Sequence, residues 1–172
     1  MNILLTGGAG YIGSHVALAL IDNGHQVHIV DNLSTGNNKL IPSKANFTNC
    51  NINNSKVISE IITSNKFDAL MHFAGYIKVE ESVKEPDKYF NNNTINLINL
   101  FKTCKKNGLK NIIFSSTASV YGSVDQNSLI NENNKANPKN PYAESKLETE
   151  KFLIENESDF KFIILRYFNV AG

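Results

Sequence analysis

Cysteine is scarce in this sequence, and its scarcity excludes several classes of protein. The 172 residues include only two cysteines, Cys50 and Cys104, and no CxxC pair. Two widely spaced thiols predict no disulfide framework and suit a reducing compartment. We therefore expect a cytoplasmic protein, and we predict no metal site.

Long apolar runs and an excess of charge are also missing. No run of about 18 apolar residues occurs, so we predict no membrane-spanning helix. The apolar run at the amino terminus has no basic region before it, and Asp22 and Gly24 soon follow, so we predict no signal peptide. A net charge of +1, with scattered lysines, argues against nucleic acid or an anionic membrane as the main partner.

The apolar runs that are present are short and alternate with helical patterns. The predicted strands cover residues 3–5, 27–30, 47–52, 69–73, 111–116 and 162–165. The predicted helices cover residues 10–23, 55–64, 86–107 and 141–156, and residues 32–44 and 122–140 are predicted loops. Strictly alternating strands and helices, with near-continuous apolar strands, predict an α/β fold: a doubly wound parallel sheet with helices on both faces.

A glycine cluster between the first strand and the first helix predicts a dinucleotide site. Gly7, Gly10 and Gly13 fit a GxxGxxG pattern, which allows a tight turn, a close approach to a pyrophosphate and close packing of helix on strand. Asp31 ends the second strand, where a carboxylate can accept hydrogen bonds from ribose hydroxyls. Such a carboxylate repels a 2′-phosphate, so the pattern favours NAD over NADP. Read alone, the glycines could form a plain tight turn.

A second group of residues predicts acid–base chemistry. Tyr142 and Lys146 lie one turn apart at the start of a predicted helix, with Asn140 as its N-cap and Pro141 in its first turn. A nearby ammonium stabilises a phenolate, so we expect a lowered tyrosine pKa and a general acid–base pair. A strand end rich in hydroxyls, which includes Thr117, precedes the pair. The alternative is a buried tyrosine and a solvated lysine on an amphipathic helix.

Seven segments together carry a resemblance to a known family. They are LLTGGAGYIGSH, VDNLSTG, HFAGYIKVEESV, YFNNN, FSSTASVYG, NPYAESK and LRYFNVAG. In these segments the sequence resembles the extended short-chain dehydrogenase/reductase family, and its nucleotide-sugar 4-epimerases in particular. The resemblance implies that residues 1–172 form an NAD-binding Rossmann domain. It also implies a smaller C-terminal sugar-nucleotide domain, which we expect to be absent from this chain.

The resemblance also implies residue roles. Catalysis is assigned to Thr117, Tyr142 and Lys146. The NAD-binding positions are Gly7, Gly10, Tyr11, Ile12, Gly13, Asp31, Asn32, Asn51, Ile52, Phe73, Ala74, Gly75, Asn92, Ser115, Tyr142, Lys146, Tyr167 and Phe168. The substrate-binding positions are Thr117, Tyr142 and Asn169. Two departures from the family pattern are Asn51, where relatives usually have Asp, and Ile77, where some have Lys.

The implied reaction interconverts UDP-galactose and UDP-glucose. Tyr142 takes the 4-hydroxyl proton while hydride passes to tightly bound NAD, the 4-keto sugar rotates, and hydride returns to the other face. Related dehydratases carry an Asp-Glu pair where this chain has Ala118 and Ser119, which favours epimerisation. Two alternatives remain: another NAD-dependent nucleotide-sugar epimerase or dehydratase of this fold, and a non-catalytic NAD-binding fragment. A homodimer through helices 86–107 and 141–156 is also implied.

Overall fold

A parallel sheet forms the centre of the fold. The computed structural model describes residues 1–123 and 129–171. Its strands are β1 (Asn2–Thr6), β2 (Gln26–Asp31), β3 (Asn46–Asn49), β4 (Ala69–His72), β5 (Asn111–Thr117) and β6 (Lys161–Tyr167). Neighbouring strands run parallel in the order β3-β2-β1-β4-β5-β6. The predicted parallel sheet is therefore confirmed.

Helices connect the strands. They are α1 (Tyr11–Asp22), α2 (Ser55–Ser64), α3 (Val79–Lys84), α4 (Pro86–Phe90), α5 (Asn96–Lys106) and α6 (Pro141–Glu155). The five residues Asn91–Ile95 join α4 to α5 as a π-helical turn, and short 3₁₀ turns cover Asn38–Leu40 and Ala118–Tyr121. Within the described ranges, no helix is both long enough and apolar enough to cross a membrane.

The two faces of the sheet bury separate hydrophobic clusters. Successive side chains of a strand point to opposite faces, so β1 contributes Leu4 to one cluster and Leu5 to the other. Leu4 packs in the cluster that contains residues of α2, α5 and α6, such as Phe101 and Leu153. Leu5 packs in the cluster that contains Ala17 of α1. Both faces are therefore covered, as the apolar strands predicted.

The strand order places a crevice beside β1. From β1 the chain winds through β2 to β3 on one side, and it then crosses to β4 on the other side. The connections that follow β1 and β4 therefore diverge at the carboxyl ends of these two strands. In open α/β sheets this divergence is where ligands bind.

The predicted helix over residues 86–107 has the expected bounds, but it is not a regular α-helix. A π-helical turn at Asn91–Ile95 interrupts it, and a further helix, α3, precedes it. Asn93 explains the interruption: it is 1% exposed, and its side chain bonds the backbone of Tyr76 in the loop after β4. An extra residue in the turn brings this amide inward, which regular helical periodicity could not have indicated.

Other boundaries shift by a few residues. The predicted strand over residues 47–52 is the shorter β3, and Ile52 beyond it is buried as part of the core. The helix at 55–64 is confirmed, as are the Asn140 cap, whose side chain accepts a hydrogen bond from the Ala143 amide, and the first-turn Pro141. Part of the predicted loop over residues 122–140, residues 124–128, lies outside the described residues.

Candidate active site

A cavity of about 870 Å³ lies along the carboxyl ends of the strands. The residues assigned to a site from the sequence all line it, and they come from every strand end and from α1, α6 and the π-helical turn. They are Gly7, Gly10, Tyr11, Ile12, Gly13, Asp31, Asn32, Asn51, Ile52, Phe73, Ala74, Gly75, Asn92, Ser115, Thr117, Tyr142, Lys146, Tyr167, Phe168 and Asn169. Their roles remain predictions.

The glycine loop brings backbone segments into direct contact. Gly7 has φ of +79°, and a Cβ there would lie 2.3 Å from the Ala74 backbone nitrogen. A Cβ on Gly13 would lie 2.2 Å from the Gly7 carbonyl oxygen. Both positions therefore require glycine: Gly7 for its left-handed conformation and its contact with the end of β4, and Gly13 for the packing of α1 on the loop.

The start of α1 presents backbone donors to the cavity. Gly10 is the N-cap and brings no side-chain hydrogen bond, and the first turn contains no acidic residue. Tyr11, Ile12 and Gly13, which form this turn, line the cavity. The first amides of a helix lack acceptors within it, and its dipole is positive at this end. The site therefore fits a bound anion such as a pyrophosphate.

Asp31 is held rigidly at the end of β2. Its Oδ2 accepts a hydrogen bond from the Ala9 amide at 3.0 Å, and its Oδ1 accepts one from the Leu33 amide at 2.8 Å. Leu33 has φ of +58°, a strained conformation that the second of these bonds helps to hold. Each carboxylate oxygen keeps a further lone pair. Asp31 can thus accept bonds from the hydroxyls of a ligand while it anchors the glycine loop.

Thr117 and Tyr142 meet over the end of β5. Thr117 is 7% exposed, and its hydroxyl accepts a hydrogen bond from the Ser119 amide at 3.2 Å. Burial raises the pKa of the Tyr142 phenol, and a hydrogen bond with Thr117 opposes part of that rise. The polypeptide by itself therefore does not lower the pKa of Tyr142, contrary to the expectation from the sequence. The tyrosine rests as a neutral phenol beside a hydroxyl.

Lys146 is a buried cation next to this pair. It is 3% exposed, its Nζ donates to the Ser115 carbonyl at 2.9 Å, and the ammonium lies 5.1 Å from the centre of the Phe114 ring. Burial lowers its pKa to about 8, although the charge of Glu150 acts in the other direction. A solvated lysine is therefore excluded. The ammonium also lies under Gly75, whose added Cβ would be 3.4 Å from Nζ.

Asn93 is a site-building residue that sequence reasoning missed. Its Oδ1 accepts from the Tyr76 amide at 3.0 Å, and its Nδ2 donates to the Tyr76 carbonyl at 2.9 Å. The predicted cofactor ligand Asn92 donates to the same Oδ1 at 3.0 Å. Asn93 thereby fixes the Gly75–Tyr76 turn at the cavity wall. The run of three asparagines was visible, but only the π-helical turn shows which one points inward.

The remaining predicted residues form the rim. Asn51 follows β3 and accepts from the Asn53 amide at 3.1 Å through its side chain. Tyr167 ends β6 and is half-buried, and burial raises its pKa. Phe168 is 66% exposed and Asn169 is exposed. These side chains border the cavity at its two ends, next to β3 and β6.

Residues 3–172 match the model of a family described as "NAD dependent epimerase/dehydratase family". The chain belongs to this family. The resemblance noted from the sequence is therefore confirmed at the level of the family.

Relatives within the epimerase/dehydratase family include enzymes named UDP-glucose 4-epimerase. The one from Lactobacillus helveticus is 41% identical over 174 aligned positions, and the match covers 100% of this chain and 52% of that protein. A crystal structure of a UDP-glucose 4-epimerase has 40% identity and a TM-score of 0.96, and the match covers 100% of this chain and 53% of that one. The Thermus thermophilus enzyme, solved in complex with NAD, has 32% identity and a TM-score of 0.95, over 100% and 56% of the two chains. This chain spans about half the length of the curated relatives it matches.

Proposed function

We propose that this chain is a UDP-hexose 4-epimerase, which binds NAD and interconverts UDP-galactose and UDP-glucose. One observation carries the proposal. Thr117, Tyr142 and Lys146 line the same cavity as the glycine-rich start of α1 and Asp31. Acid–base groups and a dinucleotide cradle therefore share one space, as a redox-assisted epimerisation needs.

The cradle fits NAD residue by residue. The α1 amides after Gly10 would bind the pyrophosphate, and Asp31 with Asn32 would bind the adenosine ribose. Phe73, Ala74 and Gly75 would lie along the cofactor beyond β4, where the absence of a Cβ at Gly7 lets this backbone pack against the glycine loop. When bound, NAD supplies a hydride acceptor and donor for sugar C4, together with a positive charge.

The chain's own residues handle the proton. Tyr142 would exchange the proton of the sugar 4-hydroxyl, with the Thr117 hydroxyl as the group that binds and relays it. Since burial raises the pKa of Tyr142, the phenolate needs cations close by. Lys146 supplies one of them, fixed by the Ser115 carbonyl.

The two residues that follow Thr117 in the sequence support epimerisation over dehydration. Ala118 and Ser119 form the first part of the 3₁₀ turn that Thr117 caps, and Ser119 lines the cavity. Neither side chain titrates near neutral pH, so neither supplies the acid–base pair that eliminating water requires.

The test is conversion of UDP-galactose to UDP-glucose by this chain loaded with NAD, followed by NMR. The proposal expects conversion by the parent chain and almost none by Tyr142→Phe. That variant should keep its NAD affinity, because the phenol hydroxyl is assigned to the sugar proton. Glu148→Gln, an exposed change on the same helix, is the control and should convert as the parent does. Stoichiometric NAD without conversion would refute catalysis by this chain and leave an NAD-binding protein.

The proposed enzyme is a homodimer. The helices implied by the resemblance leave Ile95 and Ile154 each 51% exposed. An exposed apolar side chain on each of these helices supports association through them. Sedimentation of the chain, with Ile95→Lys as the variant, tests the proposal. A parent monomer at high concentration would contradict it.

A further inference from the structure

Glu150 is a buried carboxylate that the proposed mechanism does not use. It lies on α6 and is 0% exposed. Arg166 donates from Nε to both of its oxygens at 3.1 Å and from Nη2 to Oε2 at 2.6 Å. The Ser116 hydroxyl donates to its Oε1. A buried charge is costly unless it is paired and fully hydrogen-bonded, and these four bonds meet that requirement.

The carboxylate joins the elements that carry the proposed catalytic residues. Ser116 stands on β5 between Ser115, whose carbonyl accepts from Lys146, and Thr117. Arg166 stands on β6, and its Nη1 donates to the Tyr121 hydroxyl at 2.8 Å. Glu150 itself lies one helical turn after Lys146 and so shares its face of α6.

We propose that Glu150 is a positioning residue: it holds the ammonium of Lys146 and the end of β5 in the places that the acid–base chemistry requires. The inference rests on the proposed function. Glu150 acts by two routes. Its bond with Ser116 fixes the strand whose Ser115 carbonyl binds Lys146, and its negative charge compensates for the burial of the ammonium. Arg166 pairs with the carboxylate through Nε and Nη2.

The groups around Lys146 single out Glu150 as this compensating charge. Burial is the main cause that lowers the pKa of Lys146, and the charge of Glu150 raises it. His72 of β4 interacts electrostatically with the ammonium, but an imidazole is neutral or cationic and so supplies no negative charge; burial and the charge of Lys146 hold its pKa well below 6.5. Tyr142, on the helical turn before Lys146, is a neutral phenol, and Arg166 of β6 is a second cation beyond Glu150.

The test follows the titration of Lys146 in the 172-residue chain by NMR of isotopically labelled lysine side chains. In the parent chain, one lysine should titrate with a midpoint near pH 8, because burial lowers the pKa of Lys146 to about 8. In Glu150→Gln the midpoint should fall by about one pH unit or more, since a charge one turn away is lost and Arg166 is left unbalanced. Glu148→Gln is the matched control, because Glu148 is exposed on the same helix and bonds only Lys151 in the residues described. It should leave the midpoint unchanged.

The sign of the shift separates positioning from a merely structural role. If Glu150 only stabilises the fold, its loss admits water and the midpoint of Lys146 rises toward 10.5. A rise, or no change, overturns the proposal. Should Glu150→Gln fail to fold, two variants of Arg166 provide the test. Arg166→Gln should raise the midpoint of Lys146, because the charge of Glu150 is then no longer offset by the guanidinium. Arg166→Lys keeps a positive charge there and should not raise it. Equal midpoints in these two variants would overturn the proposal. The titration needs no turnover, so an inactive parent chain refutes the proposed function alone.

Discussion

Replacing Gly7 by alanine tests how closely the glycine loop approaches the end of β4. Gly7 combines a left-handed backbone, with φ of +79°, and direct contact with backbone atoms of Phe73 and Ala74. Gly24 has nearly the same conformation, with φ of +78°, but nothing lies within 4 Å of its added Cβ. Gly24→Ala therefore measures conformational strain alone, and the difference between the two variants measures the contact.

The magnitude follows from the distances. An L-residue in the left-handed region costs roughly 1–2 kcal/mol, which both variants share. At Gly7 the new Cβ would lie 2.3 Å from the Ala74 nitrogen and 2.6 Å from the Phe73 carbonyl carbon. Backbone atoms cannot rotate away, so the end of β4 must move, and such overpacking costs about 1–3 kcal/mol more.

The assay is urea unfolding of the parent chain and of both variants, followed by circular dichroism. We expect Gly7→Ala to lower the free energy of unfolding by about 2–5 kcal/mol and Gly24→Ala by about 1–2 kcal/mol. Gly7→Ala should also weaken NAD binding, because Phe73 and Ala74 line the cavity. Equal losses of stability in the two variants would show that the two backbone segments do not approach this closely.

Three further predictions concern charged and titratable groups. Asp31→Ala should weaken NAD binding by about tenfold or more, since a charge-assisted hydrogen bond to a ribose is lost. Asp22→Ala, an exposed change on α1, should leave the affinity unchanged. If calorimetry finds equal NAD affinities for Asp31→Ala and the parent, the ribose is bound elsewhere. Lys146→Met should raise the free energy of unfolding at pH 7 by something on the order of 1–3 kcal/mol, because the folded state lowers the pKa of Lys146 from 10.5 to about 8. The cost of burying the ammonium is fully present below the folded pKa of about 8 and disappears as pH rises toward 10.5. The stability gained by Lys146→Met should therefore shrink over this window. A variant less stable than the parent at every pH would refute the reasoning. His72 is 1% exposed and pairs with the Thr6 hydroxyl at 2.7 Å, and its pKa in the folded chain lies well below 6.5, mainly through burial. Because the unfolded chain binds a proton there and the folded chain does not, the free energy of unfolding should fall as pH drops below 6.5. His72→Gln should flatten that slope in urea titrations, and an unchanged slope in His72→Gln would contradict the assignment.

The sequence predicted the sheet and the cavity because both depend on local patterns. Apolar runs between glycine turns indicate parallel strands, and parallel strands place their carboxyl ends along one edge. Gly7, Asp31, Thr117 and Tyr142 each stand at or just beyond an element end. Their convergence in one cavity therefore followed from the order of elements alone.

What the sequence could not predict depends on three-dimensional neighbours. The inward turn of Asn93 follows from its bonds to Tyr76, seventeen residues away, and not from helical periodicity. The pKa of Tyr142 was expected to be low from its spacing to Lys146, but the burial that raises it is a property of the packed fold. The sequence shows that Glu150 lies one helical turn after Lys146. The role proposed for Glu150 depends on its ion pair with Arg166, which comes from a strand and not from the same helix.

The most direct test of the account is the number of NAD molecules that the purified chain binds at saturation, measured by equilibrium dialysis with NADP in parallel. We expect one NAD per chain and much weaker binding of NADP, because the Asp31 carboxylate would repel the additional 2′-phosphate of NADP. No NAD bound, or NADP bound equally well, would contradict the assignment of this cavity as an NAD site.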